Sequence, residues 1–195
     1  REANEQYGET LNGIQRASSS ISIDPYIVQG DKRSGLLPYV DSAFPEQDGT
    51  GDSLVQAYTF RLTLTDEKDN QIPIEKPAHY NPLLYELKAR QIMAQTAKAE
   101  KPFMPDQMIT FTPMPNRKTD TNSIDYVGAS HSWPEGNYEK REQIWQEHQQ
   151  YVQGLLWFLG NDPRIPEPAR KESKRWGLAA DEYRNHGYWP SQLYV

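Results

Sequence analysis

The residues best suited to chemistry lie in a short polar cluster at residues 116–122. The cluster contains two cations, one carboxylate, two amides and hydroxyl groups, and it follows a predicted strand as a loop. Lys118, Asp120 and Asn122 could form a hydrogen-bonding surface for a hydroxylated ligand, with Trp133 nearby in sequence as a stacking platform. A turn whose Asp and Asn side chains bond the local backbone fits the same spacing. The sequence leaves both interpretations open.

The histidines are the next candidates for a ligand pocket. His131 lies in a loop beside Trp133, and the His79-Tyr80 pair precedes a predicted helix. These three residue types suit a binding pocket, and a solvated loop explains them equally well. His148 lies on the apolar stripe of another predicted helix, which favours a core histidine with satisfied hydrogen bonds. No two histidines have the helical spacing of metal ligands.

Two short motifs match catalytic or nucleotide-binding signatures without the surrounding pattern. Residues 51–54 read Gly-Asp-Ser-Leu, as in GDSL-type esterases, but a loop precedes Ser53 and no Asp-x-x-His occurs in the chain. The second motif is a Gly-x-Gly at residues 49–51. A dinucleotide-binding turn needs a third glycine three residues later, but residue 54 is Leu. A GDSL-type hydrolase is therefore the least favoured function. The absence of cysteine excludes thiolate nucleophiles and cysteine-ligated metals.

The composition predicts a polar, aromatic-rich globular protein. Hydrophobic residues make up 36%, the mean hydropathy is -0.88, and there are 5 Trp, 12 Tyr and 5 Phe. The net charge of -6 disfavours nucleic-acid partners, because there is no general basic surface. No apolar run approaches the roughly 20 residues of a membrane span, and we find no signal peptide. A soluble protein of unknown compartment is expected.

The predicted elements change character along the chain. Residues 54–65 predict a strand with Tyr58, Phe60, Leu62 and Leu64 on one face and polar residues on the other. A second strand is predicted at 108–114, and helices at about 81–99, 137–159, 166–176 and 179–185. This order predicts one α+β domain over residues 1–195, strand-rich at 15–115 and helical at 137–190. Its sheet should be mostly antiparallel, with one embedded helix.

Several segments match a known family in order along nearly the whole chain. The most specific are an Asp-Pro block and the Trp-Pro-x-Gln-Leu-Tyr-Val block in the C-terminal half. The matching segments are residues 1–4, 7–13, 118–122, 154–159, 162–166, 177–178, 181–183 and 189–195, with Tyr138, Arg141 and Ile144. On these residues the chain resembles bacterial FAD-dependent oxidoreductases, some of which carry the name xanthan lyase and are associated with polysaccharide degradation.

The resemblance implies that this chain is an internal, substrate-side or cap fragment of a larger flavoprotein. FAD is expected in the parent protein and none in this fragment, which would not be active alone. The partners would be flanking flavin-binding segments and a small or sugar-like substrate, and the catalytic residues stay unassigned. A start at Arg1 without an initiator Met and an apolar, strand-like end at Val195 without a polar tail fit an excised segment. A carbohydrate-binding or polysaccharide-processing accessory module without redox chemistry is the alternative.

Overall fold

One five-stranded sheet organises the part of the chain that the computed structural model describes, residues 22–42, 54–99 and 102–195. Single-turn 3-10 helices at Lys32–Ser34, Lys68–Asn70, Pro105–Gln107 and Arg184–His186 lie in its connections. In chain order the strands and α-helices are β1 (Leu62–Thr65), β2 (Gln71–Ile72), α1 (Leu83–Lys98), β3 (Thr110–Met114), β4 (Lys118–Asn122), α2 (Tyr138–Asn161), α3 (Glu167–Arg175) and β5 (Gly177–Ala179).

The strands lie in the order β2-β5-β1-β4-β3, and each pairing is antiparallel. Helix α1 is embedded between β2 and β3, while α2 and α3 make the C-terminal part mainly helical. The predicted α+β class with an antiparallel sheet and an embedded helix is therefore confirmed.

The alternation predicted for the first strand places its apolar side chains in the core. Phe60, Leu62 and Leu64 are at most 1% exposed, while Arg61 points to the opposite face and is exposed. The regular strand is shorter than predicted, because only Leu62–Thr65 pairs continuously. In the rest of the predicted strand, one isolated bridge joins Thr59 to Tyr194, and a second isolated bridge earlier in the chain joins Tyr26 to Leu36.

The helices begin where the sequence predicts. The Asn137 side chain accepts a hydrogen bond of 2.8 Å from the Lys140 backbone N–H at the start of α2, as an N-cap should. Asn81 likewise accepts from the Leu83 N–H, at 3.0 Å, ahead of α1. The predicted apolar stripe of α2 lies in the hydrophobic core except for Leu156, which is half-buried. Its buried members are Ile144, His148, Tyr151, Val152, Leu155 and Leu159, and the helix also buries Gly154, Phe158 and Gly160.

Tyrosine rings fill the contact between α1 and α2, which we call the tyrosine interface. Its rings belong to Tyr80, Tyr85, Tyr126 and Tyr151, and the Tyr126 and Tyr151 centroids are 3.9 Å apart. The Tyr85 hydroxyl donates to the Tyr151 carbonyl oxygen at 2.9 Å. Gly154 makes this possible, because a Cβ there would meet the Tyr85 hydroxyl.

The loop predicted over residues 116–122 is wrong, since Lys118–Asn122 is strand β4. The turn is confined to residues 115–117, where Asn116 and Arg117 take left-handed φ angles of 61° and 56°. This turn folds β4 back onto β3. Thr119 and Thr121 fix it in the sheet, because both are buried opposite Leu64 and Leu62 of β1.

The short helix predicted at 179–185 is also wrong. Gly177–Ala179 forms strand β5, which pairs with both β1 and β2. Gly177 permits this close approach, because any Cβ would meet the Ile72 carbonyl oxygen. Only a single 3-10 turn, Arg184–His186, follows β5.

Candidate functional site

Three of the predicted site residues share one face of the sheet. Lys118, Asp120 and Asn122 alternate along β4 with the buried Thr119 and Thr121, so they point away from the core. We call this surface of the sheet the outer face. Although the element is a strand and not a loop, the polar cluster does form one continuous surface.

Lys118 is the most enclosed charge on the outer face, with its side chain 9% exposed. Its Nζ lies 2.7 Å from Asp181 Oδ2 and 2.5 Å from Glu182 Oε1. Burial opposes the charge, but these hydrogen bonds raise the pKa of Lys118 above its ordinary value. The pKa of Asp181 is lowered chiefly by the hydrogen bond from Lys118 and next by the hydrogen bond from the Asn70 amide. Lys118 is thus a charged side chain already bound to two carboxylates.

Asp120 is held by an arginine from the neighbouring strand. Arg61 Nε donates to Asp120 Oδ1 at 2.8 Å, and a second contact joins Arg61 Nη2 to Asp120 Oδ2. The hydrogen bond from Arg61 lowers the pKa of Asp120 below its ordinary value. The guanidinium carbon also lies 5.4 Å from the centre of the Tyr194 ring.

A cleft of about 290 Å³ opens beside this ion pair, at the end of β4. We call it the outer cleft. Asn122 accepts a hydrogen bond of 3.1 Å from the Ser123 hydroxyl through Oδ1, which leaves the amide N–H groups of Asn122 for another partner. Asp125 contributes a carboxylate. The lining residues are Gln56, Ala57, Thr59, Arg61, Asn122, Ser123, Asp125, Tyr194 and Val195.

His131 and Trp133 lie elsewhere, in the loop between β4 and α2. His131 Nδ1 accepts a hydrogen bond of 3.1 Å from the Val55 backbone N–H. Trp133 packs edge-to-face on Tyr58, with centroids 6.0 Å apart, and the Arg141 guanidinium lies 5.8 Å from its ring centre. Trp133 therefore contacts residues on the core side and is not stacked on the β4 side chains.

His79 and Tyr80 define a third location, next to α2. His79 is exposed. Tyr80 lies edge-to-face with Trp157, and the Lys76 ammonium is 5.1 Å from the Tyr80 ring centre and 5.2 Å from that of Trp157. Burial raises the pKa of Tyr80 to about 12, so its phenol stays protonated at neutral pH. Tyr80 belongs to the tyrosine interface.

His148 is a core histidine, as its position on the helix predicted. It is 0% exposed, its Nδ1 bonds the Ile144 carbonyl oxygen at 2.8 Å, and its Nε2 lies 3.3 Å from Ser130 Oγ. Burial lowers its pKa, so the ring is neutral at pH 7.

Sequence reasoning missed the residues that complete the outer face. Arg61 carried a usable signal, since it lies on the polar side of the predicted first strand. Tyr194 carried none as a cleft residue, because only the folded chain brings it beside Asn122, and Asp125 was passed over although it lies three positions after Asn122. Asp181 and Glu182 likewise reach Lys118 across more than 60 positions of sequence.

The described residues do not form a cradle for a dinucleotide pyrophosphate. Such a cradle joins a parallel strand to a helix N-terminus through a glycine-rich turn. Every strand pair in the ranges 22–42, 54–99 and 102–195 is antiparallel, and no Gly-x-Gly precedes a helix there. The Gly-x-Gly at 49–51, Ser53 of the esterase-like motif and the matching segments 1–4 and 7–13 lie outside the described residues.

Comparison with known proteins gives one match, which covers the whole chain. The family model described as FAD dependent oxidoreductase matches residues 1–195. The curated proteins and the solved structures yield no match. Among the described residues, none of the helices has the apolar length to cross a membrane, and no three His, Asp or Glu side chains are grouped as metal ligands would be.

Proposed function

We propose that this chain forms the substrate-side region of a flavin enzyme and binds a hydroxylated, sugar-related substrate in the outer cleft. The chain belongs to the family of FAD dependent oxidoreductases, and the proposal starts from that membership. The cleft is the observation that carries this proposal. Its volume of about 290 Å³ is close to the lower end of ligand pockets, roughly 300 to 1,000 Å³. A space of this size suits one small molecule or one terminal unit of a larger one.

The polar lining suits hydroxyl groups, which both donate and accept hydrogen bonds. The Asn122 amide supplies donors, and Ser123 orients it by bonding its Oδ1. The Asp125 carboxylate supplies acceptors on the same cleft, and the Tyr194 ring, whose residue is 60% exposed, offers an apolar face. Arg61 is already neutralised by Asp120, which favours a neutral ligand over an anionic one.

The flavin of this family supplies electron transfer when bound, while the protein positions the substrate. The described residues do not fit the pyrophosphate of FAD, so we assign flavin binding to other segments of a parent protein. The role we assign to this chain is to bind the substrate and orient its hydroxyl groups. The other predicted site residues Lys118, His131, Trp133, His79 and Tyr80 do not line the cleft, and we assign them no contact with the substrate.

A carbohydrate-binding module without a redox role is the second candidate, because the outer cleft would serve it equally well. The two functions differ in one observable. A substrate-side region in a parent enzyme changes the turnover of that enzyme when the cleft is altered, whereas an accessory module changes only its binding.

The cleft is tested by titrating the full chain with a neutral monosaccharide, its uronic acid and glycerol. Binding is followed by NMR through the side-chain amides of Gln56 and Asn122, which both line the cleft, and Gln56 is the reporter in the Asn122 variant. We expect the neutral sugar to bind best, and Asn122→Ala or Asp125→Ala to weaken it about tenfold, as the loss of one hydrogen bond to a charged or oriented group would.

The matched control is His79→Ala, since His79 is exposed and is not among the residues that line the cleft. It should leave the affinity unchanged. The proposal fails if none of the three compounds perturbs Asn122, or if His79→Ala weakens binding as much as Asp125→Ala does. Tight flavin absorbance in the purified full chain would contradict the assignment of flavin to other segments.

A further inference from the structure

The rings of the tyrosine interface belong to a longer run of aromatic contacts, which we call the aromatic series. Successive ring centroids are 4.8, 3.9, 5.6, 5.3 and 4.8 Å apart, so each ring packs against the next. In order from one end, the members of the series are Tyr39, Tyr126, Tyr151, Tyr85, Tyr80 and Trp157.

The aromatic series is buried in the middle and reaches the surface at both ends. Its three middle residues are at most 8% exposed, whereas Tyr39 is 52% exposed and Trp157 is half-buried. At the Trp157 end the Lys76 side chain is exposed, and its ammonium lies 5.2 Å from the centre of the indole ring. Small molecules can therefore approach both ends, while the protein shields the middle from water.

Every ring of the aromatic series is a phenol or an indole. These rings lose one electron more readily than phenyl rings do, because a lone pair on the oxygen or nitrogen stabilises the radical that forms. Another cluster of rings lacks this continuity, since Phe60 is the ring that contacts both Trp145 and Trp189. Packing does not require an oxidisable ring at six successive positions, whereas the transfer of electrons from ring to ring does.

We propose that the aromatic series transfers one-electron oxidising equivalents from Trp157 to Tyr39. A strong one-electron oxidant, such as an oxygen-derived radical, takes one electron from the Trp157 indole and is thereby reduced. Each oxidised ring then takes an electron from the next ring of the series, until Tyr39 is the oxidised ring. The Tyr39 phenol releases its proton to water and remains as a neutral radical. In total, the oxidant gains one electron, and Tyr39 loses one electron and one proton.

Proton release makes Tyr39 the end of the series. A phenol that has lost an electron is a strong acid, so the radical settles where the proton can leave. Burial raises the pKa of Tyr85 and of Tyr151, so both are neutral phenols, and the Tyr85 hydroxyl faces a backbone carbonyl, which is a weak base. Tyr39 is the tyrosine of the series that is most open to water. This inference uses neither the outer cleft nor a flavin.

The experiment attaches the oxidant at one end of the series in the full chain. Because the chain has no cysteine, Lys76→Cys can carry a single ruthenium polypyridyl label beside Trp157 and Tyr80. A light flash with a cobalt(III) ammine as irreversible quencher produces ruthenium(III), and a nitroso spin trap marks the radicals, which mass spectrometry then locates. We expect the adduct at Tyr39. Tyr138 is 90% exposed and outside the series, so it reports oxidation through solution and should stay unmarked.

Tyr151→Phe in the labelled chain tests the path. The variant keeps the ring and the backbone carbonyl that accepts from Tyr85, but it removes the phenol from the middle of the series. We expect the adduct at Tyr39 to fall at least about tenfold, which corresponds to about 1.4 kcal/mol in the barrier of the transfer. The matched control, Tyr138→Phe, should leave the yield at Tyr39 unchanged.

Circular dichroism and urea denaturation show whether Tyr151→Phe is folded, and Tyr126→Phe interrupts the series in its place if it is not. The proposal is refuted if Tyr39 stays unmarked in the labelled parent, or if Tyr138 carries as much adduct as Tyr39. It is equally refuted if the folded variant with the interrupted series keeps the full yield at Tyr39.

Discussion

The outer face of the sheet and the tyrosine interface both contain many polar atoms, but these atoms find their hydrogen-bond partners in different ways. On the outer face, charged groups pair with each other while the carboxylates keep some contact with water, as Asp181 does at 43% side-chain exposure. In the tyrosine interface, Tyr85 is 1% exposed, and its hydroxyl has one protein acceptor at a fixed distance. Water can replace a lost partner on the outer face, whereas the interface depends on shape.

This difference explains where a ligand could enter. A ligand on the outer face exchanges one set of polar contacts for another at low cost, because paired surface charges contribute little to stability. The rings of the tyrosine interface would have to separate, exposing apolar area. The comparison predicts that small changes of volume damage the interface most, and that changes of charge on the outer face have modest effects that depend on pH.

The largest effect is expected for Gly154→Ala in the tyrosine interface. The added methyl would meet the Tyr85 hydroxyl, so we expect the free energy of unfolding to fall by about 2 to 3 kcal/mol, as for overpacked cores. Gly160→Ala is the matched control in the same helix. Its methyl would lie closest to the flexible Lys174 side chain, at 3.2 Å, and helix propensity favours alanine by up to about 1 kcal/mol. Urea denaturation measures the free energy of unfolding of both variants. An equal loss in Gly154→Ala and Gly160→Ala would contradict the role assigned to the close contact at Gly154.

The second effect concerns the buried ring of His148. Because burial lowers its pKa in the folded state, the folded protein binds fewer protons than the unfolded chain below about pH 6.5. Stability should therefore fall as the pH drops through this region, by less than about 1.4 kcal/mol per pH unit. His148→Gln should be less stable at pH 7 but should lose this slope. His79→Gln, at an exposed position, should keep it, and an unchanged slope in His148→Gln would contradict the assignment.

The smallest effect is expected on the outer face, for Lys118→Met. The variant leaves Asp181 and Glu182 without their cation, and we expect a loss of about 1 kcal/mol at pH 7, since both carboxylates are partly solvated. Lys118 lowers the pKa of Asp181, so this contribution is fully present above the carboxyl pKa of the unfolded chain, about 3.9, and is lost as the pH falls further, through the lowered pKa of Asp181 in the folded chain. The difference from the parent chain should thus vanish in acid.

Arg33→Met is the control for Lys118→Met. Its pair with Asp31 lies in solvent, with the Arg33 side chain 92% exposed, so stability should not change. A loss for Lys118→Met that persists once Asp181 is protonated in the folded chain would identify packing of the aliphatic chain, and not charge, as its contribution.

Periodicity accounts for the parts of the fold that could be predicted. The α2 stripe around Ile144 and Leu155 and the alternation of Phe60, Leu62 and Leu64 both reflect burial of one face. Strand β4 escaped prediction because its buried threonines are polar, and their burial is imposed by β1. Strand β5 is too short for a periodic signal. The need for a glycine at position 177 becomes clear only in the folded chain, where the Ile72 backbone leaves no room for a Cβ.

Part of the candidate site could be predicted, because alternate residues of the polar cluster lie on one face of the sheet. Asn122 lines the outer cleft, and Lys118 and Asp120 lie on the same face. Their partners are remote in sequence, since Arg61 and Asp120 are 59 positions apart and Lys118 and Asp181 are 63 apart. Such pairs are created by strand order, which composition and local spacing do not contain.

The strand order also has a consequence for how the chain is made. β1 and β2 are close in sequence but do not pair with each other, because β5 lies between them. The bond between Asn70 and Asp181, which closes this arrangement, spans 111 positions. During synthesis, β1 and β2 therefore leave the ribosome long before their common neighbour, and facing edges of both wait unpaired. Open edges invite pairing with other chains, so this architecture favours a nascent chain that is shielded until residues 177–179 arrive.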